Sequence, residues 1–242
     1  IREIATGARL AEIVMAVATV LEPKRSDCGS GCDKTECHPQ VTVPIAKAYV
    51  PQSFWEACQV GNLRIVRALL EGDPSLANEP TTEEGIPPLH WAALNGRWHI
   101  ARLLLQRGAR VNTAAGSNGQ TALHWAASKG HPAVASLLLE NGADPLVGDR
   151  QGQTALHVAA REGQPWVALL LLAVNVPVDQ PDGQGRTPLF WAVYHGRSEC
   201  TQILLQEGAQ VNNCQSNGLS PLHYAALKGH REVCRLLLEA GA

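Results

Sequence analysis

Residues 121–143 read TALHWAASKGHPAVASLLLENGA, and this pattern recurs through most of the chain. The four-residue block TALH at its start has counterparts at 87–90 (PPLH), 154–157 (TALH), 187–190 (TPLF) and 220–223 (SPLH). The leucines of these blocks are 34, 33, 33 and 33 residues apart, at Leu89, Leu123, Leu156, Leu189 and Leu222. A sustained period of this length predicts a repeat protein in which each unit packs against its neighbours.

Each unit is predicted to contain two helices. Thr121 is typical of a residue that caps the start of a helix, and Gly130 can adopt the left-handed conformation that ends it. Pro132 suits the first position of the second helix, where no backbone N–H is needed. Gly142 ends that helix after the leucine run. In the fourth unit Asn175 replaces this glycine, and asparagine tolerates the left-handed conformation better than other non-glycine residues.

These features resemble the ankyrin repeat family. The resemblance rests on the T-P-L-H block, on the Gly-His steps Gly130-His131 and Gly229-His230, and on the L-L-L-x-x-G-A tail. It implies an all-α solenoid of helix-turn-helix units joined by β-turn loops. The repeat domain is expected over 51–242, divided into 51–80, 81–114, 115–147, 148–180, 181–213 and 214–242. The first unit lacks the T-P-L-H block, as is common for a terminal repeat with one face in water.

The first fifty residues do not follow the repeat. Apolar residues at helical spacing predict an amphipathic helix from Glu3 to Leu21 within a segment 1–23, and Pro23 ends it. The apolar positions of this stripe are Leu10, Ile13, Val14, Val17 and Leu21. The stripe could cover an end or edge of the repeat stack, or it could dock on a partner or on a second copy. A membrane-surface helix is less consistent with a polar face that is not basic.

Residues 24–50 are predicted to form a linker, because they contain Gly29, Gly31 and several prolines. The linker also holds four residues of the types that bind zinc, Cys28, Cys32, Cys37 and His38. Their C-x3-C-x4-C-H spacing is not a common zinc-finger spacing, and neighbouring side chains are poorly placed to bind one ion. A tether that contains thiols is therefore favoured over a zinc site.

Composition narrows the class of protein. The 242 residues carry a formal net charge of −2, which does not favour nucleic acid or an anionic membrane as the main partner. Seven cysteines, an odd number scattered along the chain, indicate a reducing compartment such as the cytosol or nucleus. No uncharged apolar run reaches about 18 residues, so neither a membrane span nor a signal peptide is predicted. The chain stops within its repeat pattern, which suggests that further sequence follows.

The predicted binding surface follows from the resemblance. In an ankyrin stack the first helices and the loop tips face a common groove, and the residue after the motif histidine points toward it. With the variable positions further along each first helix, this gives the candidate partner-binding residues Trp91, Leu94, Trp125, Lys129, Arg161, Trp191, Tyr194 and Tyr224. Aromatic residues and arginine dominate binding hot spots. The alternative is that the tryptophans only fill gaps between neighbouring helices.

The sequence also indicates two further sets of surface residues. The loop tips, expected to be mostly solvated, contain Glu83, Glu84, Asn118, Arg150, Gln151, Asp182 and Gln184. A second candidate surface lies on the outer helices, where Trp98, Trp166, Ala173 and Val174 place apolar side chains where other repeats have mostly polar ones. Exposed apolar patches of this kind usually mark a contact.

No catalytic group or cofactor site is predicted. The motif histidines His90, His124, His157 and His223 recur with the repeat and are expected to hydrogen-bond within and between units. Cys58, Cys200 and Cys234 fall on apolar helical positions and are expected to be buried, inert thiols. No phosphate-binding loop, carboxylate pair or known nucleophile motif is present.

Three functions remain open from the sequence. The first is an adaptor that binds a peptide or domain of another protein, for example in substrate recruitment or in signalling and transcription. The segments that begin CTQILL at Cys200 and CRLLL at Cys234 resemble substrate receptors of ubiquitin ligases. The second is the regulatory or substrate-docking part of a larger enzyme or channel. The third is a scaffold that self-associates through its N-terminal helix.

Overall fold

The computed structural model describes residues 54–80, 85–214 and 218–242. The predicted N-terminal helix, the linker with Cys28, Cys32, Cys37 and His38, and the loop-tip residues Glu83 and Glu84 lie outside these described residues. The statements below concern the described part of the chain.

Twelve α-helices in this part form six helix-turn-helix pairs, and a short 3-10 helix, Pro74–Ala77, follows the first pair. The helices are α1 (Phe54–Val60), α2 (Leu63–Gly72), α3 (Pro88–Leu94), α4 (Trp98–Gln106), α5 (Ala122–Lys129), α6 (Pro132–Glu140), α7 (Ala155–Glu162), α8 (Pro165–Ala173), α9 (Pro188–Tyr194), α10 (Ser198–Gln206), α11 (Pro221–Lys228) and α12 (Arg231–Glu239). Within the described ranges the only β-type pairing is one isolated bridge between Ala115 and Gln120. The predicted all-α solenoid is confirmed.

The helices stack in two rows. Each first helix packs on the second helix of its own repeat, and first helices pack on the first helices of neighbouring repeats. The second helices form the other row in the same way. The small pair Ala126-Ala127 in α5 is fully buried and allows this close approach, while Leu138 in α6 is fully buried between the rows. One continuous core therefore runs along the whole stack.

The helices begin and end where the proline, glycine and asparagine residues of the sequence predict. Gly130 ends α5 with φ 70°, and Pro132 begins α6. Asn175, with φ 63°, is the only non-glycine residue with positive φ in the described ranges. Gly196 shows a second requirement for glycine, because a β-carbon there would lie 2.6 Å from Nδ1 of His230.

The motif histidines link successive repeats. Nε2 of His124 lies 2.9 Å from the carbonyl oxygen of Gln153 in the next loop, to which it donates its proton. Nδ1 of the same ring then accepts the backbone N–H of Thr121 at 3.2 Å and lies 2.8 Å from the Thr121 hydroxyl. His157 repeats this pattern with Thr154 and with the carbonyl oxygen of Arg186. The geometry agrees with the structural role expected from the sequence.

His90 departs from this pattern. Its Nε2 lies 3.0 Å from the carbonyl oxygen of Gln120, but Pro87 occupies the position that is Thr or Ser in the other repeats. Proline has neither a backbone N–H nor a hydroxyl to offer. Among the described residues, Nδ1 of His90 is consequently buried without a hydrogen-bond partner. Burial lowers the pKa of His90 to about 4, so the ring is neutral near pH 7.

Candidate partner-binding site

An N-terminal aromatic cluster, formed by Trp55, Trp91 and Trp125, lies on the first helices of repeats one to three. The rings of Trp91 and Trp125 are 5.6 Å apart at 89°, an edge-to-face contact, and those of Trp55 and Trp91 are 6.2 Å apart. All three side chains are partly exposed. Edge-to-face packing is a favoured geometry for aromatic pairs. Each tryptophan therefore both packs against its neighbour and presents surface to solvent.

A C-terminal aromatic cluster lies on α9 and α11 and is formed by Phe190, Trp191, Tyr194, His195 and Tyr224. Phe190 occupies the motif histidine position and is buried beneath the others, with its ring centre 5.1 Å from that of Tyr224. Tyr194 and Tyr224 are 6.0 Å apart. The Trp191 and His195 rings are stacked at 5.8 Å and 15°. With phenylalanine in place of the motif histidine, the Phe190 ring contacts three other aromatic rings, those of Trp191, Tyr194 and Tyr224.

Trp191 is held in place by the loop that precedes its helix. Its indole Nε1 donates to Oδ2 of Asp182 at 3.1 Å, and the guanidinium of Arg186 lies 4.2 Å from the ring centre. Asp182 also accepts the backbone N–H groups of Gln184 and Arg186 and forms a salt bridge with Nε of Arg186 at 2.9 Å. Trp191 is therefore oriented by a hydrogen bond and a cation–π contact from its own repeat.

The expectation that Asp182 is an ordinary solvated loop tip is wrong. Its side chain is fully buried by Arg186 and Trp191. Burial alone would raise the pKa of Asp182, but hydrogen bonds from Arg186, Gln184 and Trp191 outweigh it and lower the pKa below its usual value. The other described loop tips Asn118, Arg150, Gln151 and Gln184 are exposed, as predicted.

Basic side chains border the aromatic clusters. Arg161 donates to Glu162 at 3.0 Å and to Oε1 of Gln153 at 2.8 Å. The Lys228 ammonium lies 4.5 Å from the centre of the Tyr194 ring, a cation–π contact. Lys129 is exposed at the end of α5. Burial, followed by the positive charges of Arg197 and Arg161, lowers the pKa of His195.

The aromatic strip expected from the sequence is interrupted in the middle. Val158, which occupies the fourth repeat's position after the motif histidine, is fully buried rather than presented to solvent. Leu94 and Arg161 are partly exposed, as are Tyr194 and Tyr224. The eight candidate residues thus remain accessible on one row of helices, but as two aromatic clusters with Arg161 between them.

The second candidate surface is a groove between the outer helices α8 and α10. It is lined by Pro165, Trp166, Leu169, Glu199, Gln202, Ile203 and Gln206. Trp166 is 55% exposed. Trp98, by contrast, is partly buried, with the Arg102 guanidinium 5.2 Å above its ring and His99 against its edge. Ala173 and Val174 are also partly buried.

The cysteine thiols in the helices are mostly sheltered, as predicted. Cys58 and Cys200 are fully buried, and burial raises the pKa of both thiols to about 12. The expectation that Cys234 is buried is wrong, because this residue is only partly buried, and Cys214 is exposed. Within the described ranges, no helix has the length and hydropathy needed to cross a bilayer. The same ranges contain no group of three or more His, Cys, Asp or Glu residues placed to hold a metal ion.

Comparison with known proteins agrees with this architecture. The family model "Ankyrin repeats (3 copies)" matches residues 54–149, 112–182 and 156–242. The chain belongs to the ankyrin repeat family. The crystal structure of the human ASB11 ankyrin repeat domain superposes with a TM-score of 0.70 at 33% identity, covering 79% of this chain and 85% of that one.

Relatives with assigned functions match only through their repeats. Palmitoyltransferase akr1 of Emericella nidulans is 45% identical over 118 residues, which is 49% of this chain and 15% of the relative. Palmitoyltransferase Hip14 of Drosophila melanogaster is 34% identical over 110 residues, 46% of this chain and 17% of the relative. The E3 ubiquitin-protein ligase XB3 of Oryza sativa is 40% identical over 67 residues, 28% of this chain and 15% of the relative. The matched region is therefore a small part of each relative.

Proposed function

We propose that this chain is a protein-binding module that holds a short extended segment of another protein against its first helices. The observation that carries the proposal is the C-terminal aromatic cluster, in which Asp182 and Arg186 fix Trp191 before any partner arrives. Ordering a flexible side chain on binding costs about 0.5–1.5 kcal/mol, and a side chain that is already fixed avoids much of this cost. Two such clusters favour two apolar or aromatic anchors in the partner.

The charges around the clusters favour an acidic residue between those anchors. Lys129 and Lys228 border the surface, while Asp182 and Glu162 are already paired with Arg186 and Arg161. An acidic partner side chain would find cations here, and a basic one would be repelled. We propose the cytosol or nucleus as the compartment of this activity, where thiols such as the buried Cys58 and Cys200 stay reduced.

An array of 15-residue peptides, probed with the whole chain, tests this proposal. The variant Trp125→Ala, Trp191→Ala removes one anchor from each cluster, and Trp98→Ala on an outer helix is the matched control. All proteins should first be compared by thermal melting. Peptides that bind the wild type and the control, but not the double variant, support the proposal. If the double variant retains the same peptides at similar affinity, the tryptophans only fill space and the proposal fails.

A second candidate is that this array is the substrate-docking or regulatory part of a larger enzyme. It is favoured by the two palmitoyltransferase relatives, whose matched regions are a minor part of longer proteins. Expression from the natural gene, followed by mass determination, would show whether a further domain is attached. If one is, the same Trp125→Ala, Trp191→Ala change should reduce modification of the protein's substrates and leave its activity on a free acceptor unchanged.

An adaptor of a ubiquitin ligase remains a third candidate, supported by the similarity to the rice ligase XB3. Purification of the natural complex separates it from the second candidate. Co-purification of ligase subunits supports the adaptor. An acyltransferase domain on the same polypeptide would instead support the second candidate, a larger enzyme.

A further inference from the structure

The outer face of α8 is unusual among the second helices. Two of its outward positions are occupied by Trp166 and Leu169, and a third by Ala173. The residues that align with Trp166 in the other well-matched repeats are His99, Ala133, Glu199 and Glu232, and those that align with Leu169 are Arg102, Ser136, Gln202 and Arg235. A helix that is apolar on all sides is normally covered on all sides. This pattern indicates that something covers α8.

In the repeat that contains Trp98, side chains of the same outer helix cover the tryptophan. There, Arg102 lies over the indole and His99 packs on its edge. In the fourth repeat Leu169 takes the place of that arginine, and Trp166 remains 55% exposed beside Ile203 of the next repeat. The groove therefore has an apolar floor, with Glu199 as its only charged lining residue.

We propose that residues 3–21 of this same chain dock as a helix in the groove between α8 and α10. The apolar stripe predicted from the sequence runs from Leu10 to Leu21, an axial length of about 16 Å of helix. The apolar face of α8 from Trp166 to Ala173 spans about 10 Å, so it would cover about two of the three turns of this stripe. Arg9, directly before the stripe, carries a charge opposite to that of Glu199, the charged residue that lines the groove.

The length of chain between the two parts permits this contact. Thirty-two residues separate Leu21 from Phe54, where the described repeats begin. As a random coil, a chain of this length has a root-mean-square span of about 30 Å. The groove lies three to four helix spacings from the first repeat, or roughly 25–40 Å at about 8–10 Å per spacing. Tethering also raises the local concentration of the segment to the millimolar range.

This contact would leave the aromatic clusters on the opposite row of helices open, so it is independent of the partner site. Hydrogen–deuterium exchange of the whole chain tests it. Amides of residues 8–21 should exchange about tenfold more slowly in the wild type than in Leu169→Arg. That variant introduces the residue found at the aligned position of the second repeat and should preserve the fold. Ser136→Arg, at the same position of the third repeat, is the matched control and should keep the protection.

A second variant guards against a folding defect. Val14→Asp lies outside the repeats and cannot disrupt their core, yet it should abolish the protection of residues 8–21 and speed exchange around Trp166. Exchange of residues 8–21 that is equally fast in the wild type and in all variants would overturn the proposal. Protection that rises with protein concentration, together with a dimer mass in light scattering, would assign the groove to a second copy and overturn it as well.

Discussion

Replacement of Pro87 by threonine should stabilise the protein, although it removes a proline. In the repeats whose first helix is capped by Thr121 or Thr154, the cap residue supplies both a backbone N–H and a hydroxyl to Nδ1 of the motif histidine. Pro87 has an extended backbone with φ −67° and ψ 154°, close to the −89° and 165° of Thr187, so threonine fits without strain. Thr187 also precedes a proline, as residue 87 does.

The magnitude follows from three contributions. A buried polar atom without a partner costs about 1–3 kcal/mol, and Nδ1 of His90 would gain two donors. A threonine cap in place of a residue that cannot cap contributes about 1 kcal/mol, which overlaps with the first contribution. Loss of proline rigidity in the unfolded chain costs about 0.4–1 kcal/mol. The net gain should be about 1–2 kcal/mol, or a rise in Tm of roughly 3–6 °C for a domain of this size.

Thermal and urea unfolding followed by circular dichroism would measure this gain at pH 7. Pro145→Thr, in the loop after α6, controls for the loss of proline rigidity alone and should be neutral or slightly destabilising. Thr154→Val, which removes the hydroxyl that bonds His157, should lower stability by about 1 kcal/mol. An unchanged or lower Tm for Pro87→Thr would show that the unpartnered nitrogen has no energetic consequence, and the reasoning would fail.

Three other predictions can be checked separately. Asp182→Asn should lower stability by about 1–3 kcal/mol and weaken partner binding, because it removes a buried charge that bonds Arg186 and Trp191. The control Asp149→Asn, in the equivalent loop, should leave binding unchanged. Equal losses of binding in both variants would contradict a specific role for Asp182. Burial lowers the folded-state pKa of His90, His124 and His157, so the unfolded chain binds protons first as the pH falls. Stability should therefore be complete above about pH 6.5 and should decrease as the pH falls below it, for His90 down to about pH 4 at up to about 1.4 kcal/mol per pH unit. Urea unfolding across this range measures the decrease, and a flat profile would contradict the buried neutral rings. Alkylation of the native protein with iodoacetamide should modify Cys214 but not Cys58 or Cys200, as read by peptide mass spectrometry, and early modification of Cys58 would contradict its burial.

Much of the fold could be predicted from the sequence because local chemistry repeats with the unit. Gly130 and Asn175 end helices since few residues adopt positive φ, and Pro132 begins one because it needs no N–H. The hydrogen bonds between Thr121 and His124 recur between the equivalent residues of other repeats. These rules act within about four residues, so the sequence is enough to apply them.

The candidate site could be predicted only in part, because its side chains are arranged by contacts between repeats. The sequence predicts that the position after the motif histidine faces the groove in every repeat, yet Val158 is fully buried there, whereas Trp191 is partly exposed. The role of Asp182 was missed, although Asp149 and Asp182 each precede a glycine by three residues and accept two backbone N–H groups. What sets Asp182 apart is the nearby Trp191, and the repeat pattern does not specify that contact.

The indole N–H signals of the six tryptophans offer the most direct test of partner binding by the first helices. A proton–nitrogen NMR spectrum, recorded while a peptide selected on the array is added, should show shifts for Trp91, Trp125 and Trp191. The signals of Trp98 and Trp166 on the outer helices should stay unchanged, which would support the proposed site. Shifts confined to Trp98 and Trp166, with the first-helix indoles unaffected, would contradict the account and move the binding site to the outer face.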